Sequence, residues 1–254
     1  MLSNEYVGIS KALETFVKQI RLNSGKIKIF ERNIRGILRE FLETVAPICA
    51  YNILAQNQFT YWKSLSEEDI QQILTSKDIE KFLSDKINDS SFVDYNNLGK
   101  IIVQSDLLSD ANKSIFNEVL KAMEIKLYDL ALVGVVCVFD GALSVATEDA
   151  TTRISSRLDK IERRFEKLSD EEIVNMEESD MTILGMYLTW TESMKKFQAF
   201  SEFSNPETEP CNINRHWIMH GRKTSIATEL DCCKMINALF GLIYFGTKER
   251  ITIE

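Results

Sequence analysis

The sequence predicts an all-α protein, a bundle of amphipathic helices with additional helices toward its N-terminal side. Three observations carry that reading. Only 3 prolines and 10 glycines interrupt 254 residues, Leu, Ile, Glu and Lys are abundant, and apolar residues recur at three- and four-residue steps. The apolar share, 44% of the chain, is ample for a buried core.

In order, Tyr6, Ile9, Leu13, Phe16, Val17 and Ile20 form the stripe of a helix over 5–22, closed near Asn23-Ser24-Gly25. Phe30, Ile34, Ile37, Leu38, Phe41 and Leu42 mark a second over 28–44, which Pro47 breaks or kinks. Ser66-Glu67-Glu68-Asp69 supplies an N-cap and an acidic first turn for a helix to Leu74, and Ser76 caps another running to Ile87. The polar run Asn88–Asn97 is a boundary signal, dividing an N-terminal helical region (1–97) of sensor or regulatory type from a C-terminal bundle (98–254).

Ser109 caps a helix carrying Ile115, Phe116, Val119, Leu120 and Met123. Leu127–Thr147 follows, apolar on all sides at its middle and therefore expected at the bundle centre, with Asp140 as its exception. A carboxylate there must be hydrogen-bonded, paired with a cation or open to a cavity; Arg215 or a histidine is the expected partner, unless the residue lies at the bundle surface. Thr151–Leu168 is an amphipathic helix with the densest basic stretch, a solvated face or an RNA contact. Ser169-Asp170-Glu171-Glu172 opens a short helix, Met181–Phe203 is a long one, Ser204–Pro210 is a loop, and Thr224–Phe245 is the last helix.

The net charge of −8 excludes nucleic-acid binding through overall charge and leaves a local basic face as the only route. Five cysteines in a chain of this length fit a reducing cytoplasm. Met1–Glu5 carries no secretory pattern, and the apolar runs Leu130–Phe139 and Ala238–Phe245 fall short of the roughly 18 residues a membrane helix needs, so no membrane association is expected.

Both histidines of the chain lie in Asn212-Ile213-Asn214-Arg215-His216-Trp217-Ile218-Met219-His220-Gly221-Arg222. That puts the only side chains that ordinarily titrate near neutrality between two arginines. His216 and His220, four apart, share a helical face, as do Arg215 and Arg222 at seven. Arg215 and His220 are rotated by about 140° on an ideal helix, so they converge only if the helix ends or bends, and Gly221 is a natural stop. An imidazole moves protons near neutral pH and a guanidinium holds phosphate oxygens while charge develops, a combination suited to phosphodiester cleavage.

Asn214–Gly221, with the upstream Tyr128–Val135 leading into Phe139-Asp140-Gly141-Ala142-Leu143, resembles the HEPN-domain family, whose C-terminal signature is Arg, four to six residues, then His. The resemblance covers about residues 109–246. In this chain His216 stands where many members carry Asn or Asp, and Asp140 where many carry Glu.

What the resemblance implies is a dimeric helical bundle in which two such motifs line one cleft, and a metal- and cofactor-independent endoribonuclease of toxin–antitoxin, phage-defence or abortive-infection type. Arg215 would then contact the scissile phosphate and His220 would serve proton transfer, with Asp140, Asn214, His216 and Arg222 supporting the pair or binding substrate. The implied partners are RNA, a second copy of the chain, and an antitoxin or regulatory protein. Two other readings stand beside this one. The motif could belong to a non-catalytic module that binds nucleotide or a protein, its cations satisfying a helix end, or Cys211, His216, His220 and Cys232 or Cys233 could hold a tetrahedral zinc.

Overall fold

Short polar side chains write most of the helix starts among the described residues. In the computed structural model, which describes residues 46–47, 49–60, 65–87, 95–148, 178–199 and 206–246, Ser66 Oγ accepts from the Asp69 amide at 3.1 Å and Asp69 turns back on the Ser66 backbone. This reciprocal cap opens helix α1, Glu67–Thr75. The expected helices over 5–22, 28–44 and 151–168, and the cap at 169–172, lie outside the described residues.

Helix α2 spans Ile79–Ile87. Its cap is Asp78, whose carboxylate takes the Lys81 amide at 3.0 Å, while Ser76, expected in that role, closes α1 in extended conformation. Helix α3, Tyr95–Gln104, takes the last three residues of the run read as a polar boundary. Leu98 and Ile102, one turn apart, are buried, and that apolar pair outweighs the asparagines around it.

Helix α4, Asp110–Glu124, begins at Ser109, which accepts from the Asn112 amide as expected. Helix α5 is Tyr128–Thr147, α6 is Glu178–Phe197, and a 3-10 turn at Pro206–Thr208 follows. Helix α7 is the short Arg215–Met219. Helix α8, Glu229–Gly246, starts five residues later than Thr224, because Thr224 donates its backbone amide to Glu209 at 2.9 Å. The reciprocal bonds between Thr228 and Asp231 then supply the true start. Among the described residues there is no strand.

The chain divides into two compact units, Met1–Ala46 and Pro47–Glu254. The unit that holds the bundle thus includes residues 47–97, and Leu54, Phe59, Ile73 and Leu83 lie in one apolar core with α5 and α8. At the centre α8 is buried along its length from Cys232 to Gly246, packed by α5, α3 and α6. Its polar exceptions are partly paired: Lys234 reaches Glu80 at 3.2 Å, and Asn237 donates to the Thr60 carbonyl at 2.9 Å while its Oδ1 has no hydrogen-bond partner among the described residues.

Helix α5 is the second central helix. By length and composition it could cross a membrane; α4 and α8 pack against it and 56% of its apolar window is buried, while Leu130, Val133 and Val145 stay exposed. Glycines set how closely α4 approaches: an added Cβ would meet Val119 Cγ2 at 2.6 Å from Gly134 and Asn112 Nδ2 at 2.4 Å from Gly141. Phe139 meets Phe197 edge-on with centroids 5.4 Å apart, joining α5 to the end of α6 beside Asp140.

Candidate active site

Three anchors hold the Asn212–Arg222 stretch. Gln58, buried and in the left-handed region at φ 55°, pairs with both backbone groups of Ile213. Its amide donates to the Ile213 carbonyl at 2.9 Å, and its carbonyl oxygen accepts the Ile213 amide at 2.6 Å. Nothing in the local sequence signals this pairing across 155 positions. Asn214 is the second anchor. Its side-chain oxygen accepts from the amides of His216 and Trp217, and its nitrogen donates to the Ala199 carbonyl at 2.7 Å.

The third anchor is the turn at the other end. Gly221 adopts φ 63°, its amide reaches the Ile218 carbonyl at 3.1 Å, and the Arg222 amide reaches that of Trp217 at 2.8 Å. These are the paired bonds of a Schellman stop, which requires a left-handed residue at this position. The helix therefore ends where Gly221 predicted, with His220 as its last, half-in residue. Trp217 and Ile218 are buried and press the turn into the bundle.

This orientation turns Arg215 toward α5, where its terminal nitrogen lies 3.3 Å from Asp140 Oδ1. The side chains keep 15% and 29% of their accessible surface, so the pair is shielded without being sealed from solvent. Arg215 Nε is buried without a hydrogen-bond partner among the described residues. Asp140 thus combines both expectations: it lies near the surface and is paired with Arg215.

His216 and His220 stand one turn apart with their rings parallel, 4° between planes and 6.1 Å between centroids. The backbone bond from the His220 amide to the His216 carbonyl, 3.1 Å, fixes that spacing. Partial burial lowers the His216 pKa, and the nearby charges of Arg215 and His220 lower it further. His220 is exposed, as is Arg222, the flanking cation expected to support the site.

Cys137 and Met219 were not among the expected site residues, yet they complete this corner. Their sulfurs are 3.9 Å apart. Burial raises the Cys137 pKa, the Asp140 charge raises it further, and Arg215 opposes them. The signal was available in the sequence, since Cys137 lies three residues before Asp140 and so on the same helical face.

Cys211, His216, His220, Cys232 and Cys233 do not assemble into a tetrahedral site. Among the described residues, no three His, Cys, Asp or Glu side chains converge as metal ligands. Cys211 is exposed, whereas burial pushes the Cys232 thiol up to about 12. A cavity of about 220 Å³ lies beside the motif, lined by Glu209, Asn214, Trp217, Ile218, Lys223 and Leu230 among others, but neither Arg215 nor either histidine reaches it. Arg215 and His216 are half-buried, whereas His220 is exposed.

Fold and site together define an all-α bundle protein that carries a carboxylate-anchored arginine and a histidine pair on one exposed turn. Compared with protein-family models, with curated proteins and with solved structures, the chain matches none.

Proposed function

We propose that the protein is a metal-independent endoribonuclease of HEPN type, cutting RNA by attack of a 2′-hydroxyl on the adjacent phosphodiester. Arg215 stabilises charge on the phosphate and His220 serves proton transfer. The observation that carries this reading is the Arg215–Asp140 pair, which holds a guanidinium beside His216, whose ring lies parallel to that of His220 at the helix end. Guanidinium and imidazole are the two groups that a phosphodiester cleavage without metal needs.

The exposed helix end that carries His220 and Arg222 supports a polymer over a small metabolite, because an extended strand can lie across an accessible turn. Leu130, Val133, Cys137 and Asp140 follow one another at three- and four-residue steps along α5, and Leu130, Val133 and the neighbouring Met219 are exposed. Such a stripe beside the catalytic corner supports a homodimer in which two motifs face one RNA. A toxin–antitoxin or phage-defence setting in the cytoplasm, with an antitoxin or other regulator, completes the reading.

The test is cleavage of RNA in EDTA by the wild type, Arg215→Ala and His220→Ala, with helicity and oligomeric state measured on each. Arg215→Ala is expected to lose about 10²–10³ in rate while retaining its helix content. Equal cleavage by the wild type and His220→Ala, or no cleavage by a folded dimeric wild type, would overturn the reading. The latter result would favour the non-catalytic module.

A further inference from the structure

His216 is held as firmly as Arg215, and the capping of Asn214 and the Arg215–Asp140 pair leave a second imidazole to account for. It sits one turn before His220 on the same face. Its amide is fixed by Asn214 at 3.0 Å, and its carbonyl accepts the His220 amide. The 4° angle between ring planes sets the two rings parallel, one above the other.

A proton-transfer group acts over a heavy-atom distance of about 2.6–3.2 Å. Rings whose centroids stand 6.1 Å apart are close enough for the two oxygens that flank one phosphorus to reach one ring each.

We propose that, in the ribonuclease reaction proposed above and resting on that reading, His216 and His220 act as a base–acid pair across a single phosphodiester. His216 takes the proton of the 2′-hydroxyl as the bond from that oxygen to phosphorus forms. His220 gives its proton to the 5′-oxygen as the bond from phosphorus to that oxygen breaks. The products are a 2′,3′-cyclic phosphate and a 5′-hydroxyl, with one proton gained by His216 and one lost by His220; exchange with water restores both rings.

The assignment of the two roles follows from their surroundings. His216 is half-buried beside Arg215, and among the described residues Asp140 and Cys137 of α5 belong to the same charged and titratable corner. Burial and the adjacent cations favour its neutral form, the form a base needs. His220 is the exposed ring at the helix end, where water can return a proton after each turnover.

The experiment uses the full chain in EDTA with two substrates, a short fluorogenic oligoribonucleotide and uridine 3′-(p-nitrophenyl phosphate), whose leaving group departs without a proton. Rates are followed against pH for the wild type, His216→Gln, His216→Ala and His220→Ala, each checked for helix content and for the remaining imidazole proton signal. His216→Gln is expected to lose about 10²–10⁴ on both substrates and to lose the acidic limb of the profile. His220→Ala should lose a similar factor on RNA but stay within about tenfold of wild type on the p-nitrophenyl ester. Added imidazole should restore part of the rate to His216→Ala.

If wild type cleaves and His220→Ala does not, a folded His216→Gln that keeps its acidic limb overturns the pair while the ribonuclease reading stands. The pair is likewise overturned if imidazole leaves a folded, slow His216→Ala unrescued, because His216 then only positions its neighbours. Absence of cleavage by the folded wild type overturns the ribonuclease reading and the pair with it.

Discussion

Replacing Asn214 separates a helix cap from a substrate ligand. The side chain is 3% exposed, and its oxygen serves the His216 and Trp217 amides at 3.0 and 3.4 Å. Its nitrogen serves the Ala199 carbonyl at 2.7 Å. Truncation to Ala removes a cap, costing about 1 kcal/mol, and leaves the Ala199 carbonyl without its donor, costing about 1–3 kcal/mol more. The sum of about 2–4 kcal/mol lowers the melting temperature of a domain this size by roughly 5–15 °C. Asn214→Asp keeps the acceptor and should recover the cap, about 1 kcal/mol of the loss, while forfeiting the Ala199 bond. Thermal denaturation followed by far-UV circular dichroism, with RNA cleavage measured well below the transition, reads both effects. An Asn214→Ala protein melting within about 1 °C of wild type would refute the capping account. A stable variant with weakened RNA binding would return Asn214 to the role of a ligand.

Because the chain has 2 histidines, proton NMR resolves each ring, and the His216 signal should titrate below the usual imidazole value of about 6.5; Arg215→Ala, by removing a nearby cation, should raise it. A folded-state pKa below the unfolded one contributes stability that is fully present above about pH 6.5 and is lost as pH falls through the folded value. His216→Gln should therefore flatten that part of the stability profile, and a His216 signal titrating above the usual value would contradict the argument. Gln58→Ala leaves the buried amide and carbonyl of Ile213 without their partner, and its expected cost is about 2–4 kcal/mol in urea unfolding; a loss under about 0.5 kcal/mol would show that another group takes over.

What could be read from the sequence was what is local. Ser66, Ser109 and Gly221 announce helix ends through bonds closed within a few residues, and all three do so in the folded chain. The all-α class follows from the same kind of signal. The failures are equally specific. Helix α3 was hidden because its asparagines are turn-formers, whereas its buried pair, Leu98 and Ile102, makes only half a stripe. The start of α8 was moved by Glu209, fifteen residues upstream, whose bonds to Thr224 no spacing rule contains. At the site, the Asp140 charge on an apolar helix was a legible anomaly, and Arg215 is its partner at 3.3 Å. Gln58 was not legible, because its bonds span the whole fold.

The Arg215–Asp140 pair joins the readings of scaffold and site. A pair with 15% and 29% exposure contributes little net stability once desolvation is counted, and apolar residues of similar volume would serve packing about as well. Orientation is what the carboxylate supplies. It engages one terminal nitrogen of a planar group, which fixes where the remaining donors can point, and Nε among them has no protein partner within the described residues. A guanidinium needed only to neutralise Asp140 could be replaced by Lys at small cost, since an ammonium makes the same single contact. One that also grips phosphate loses its second, geometrically fixed donor on that change. Arg215→Lys therefore distinguishes the two roles: unchanged folding with unchanged RNA cleavage assigns the arginine to the scaffold, and unchanged folding with lost cleavage assigns it to the phosphate.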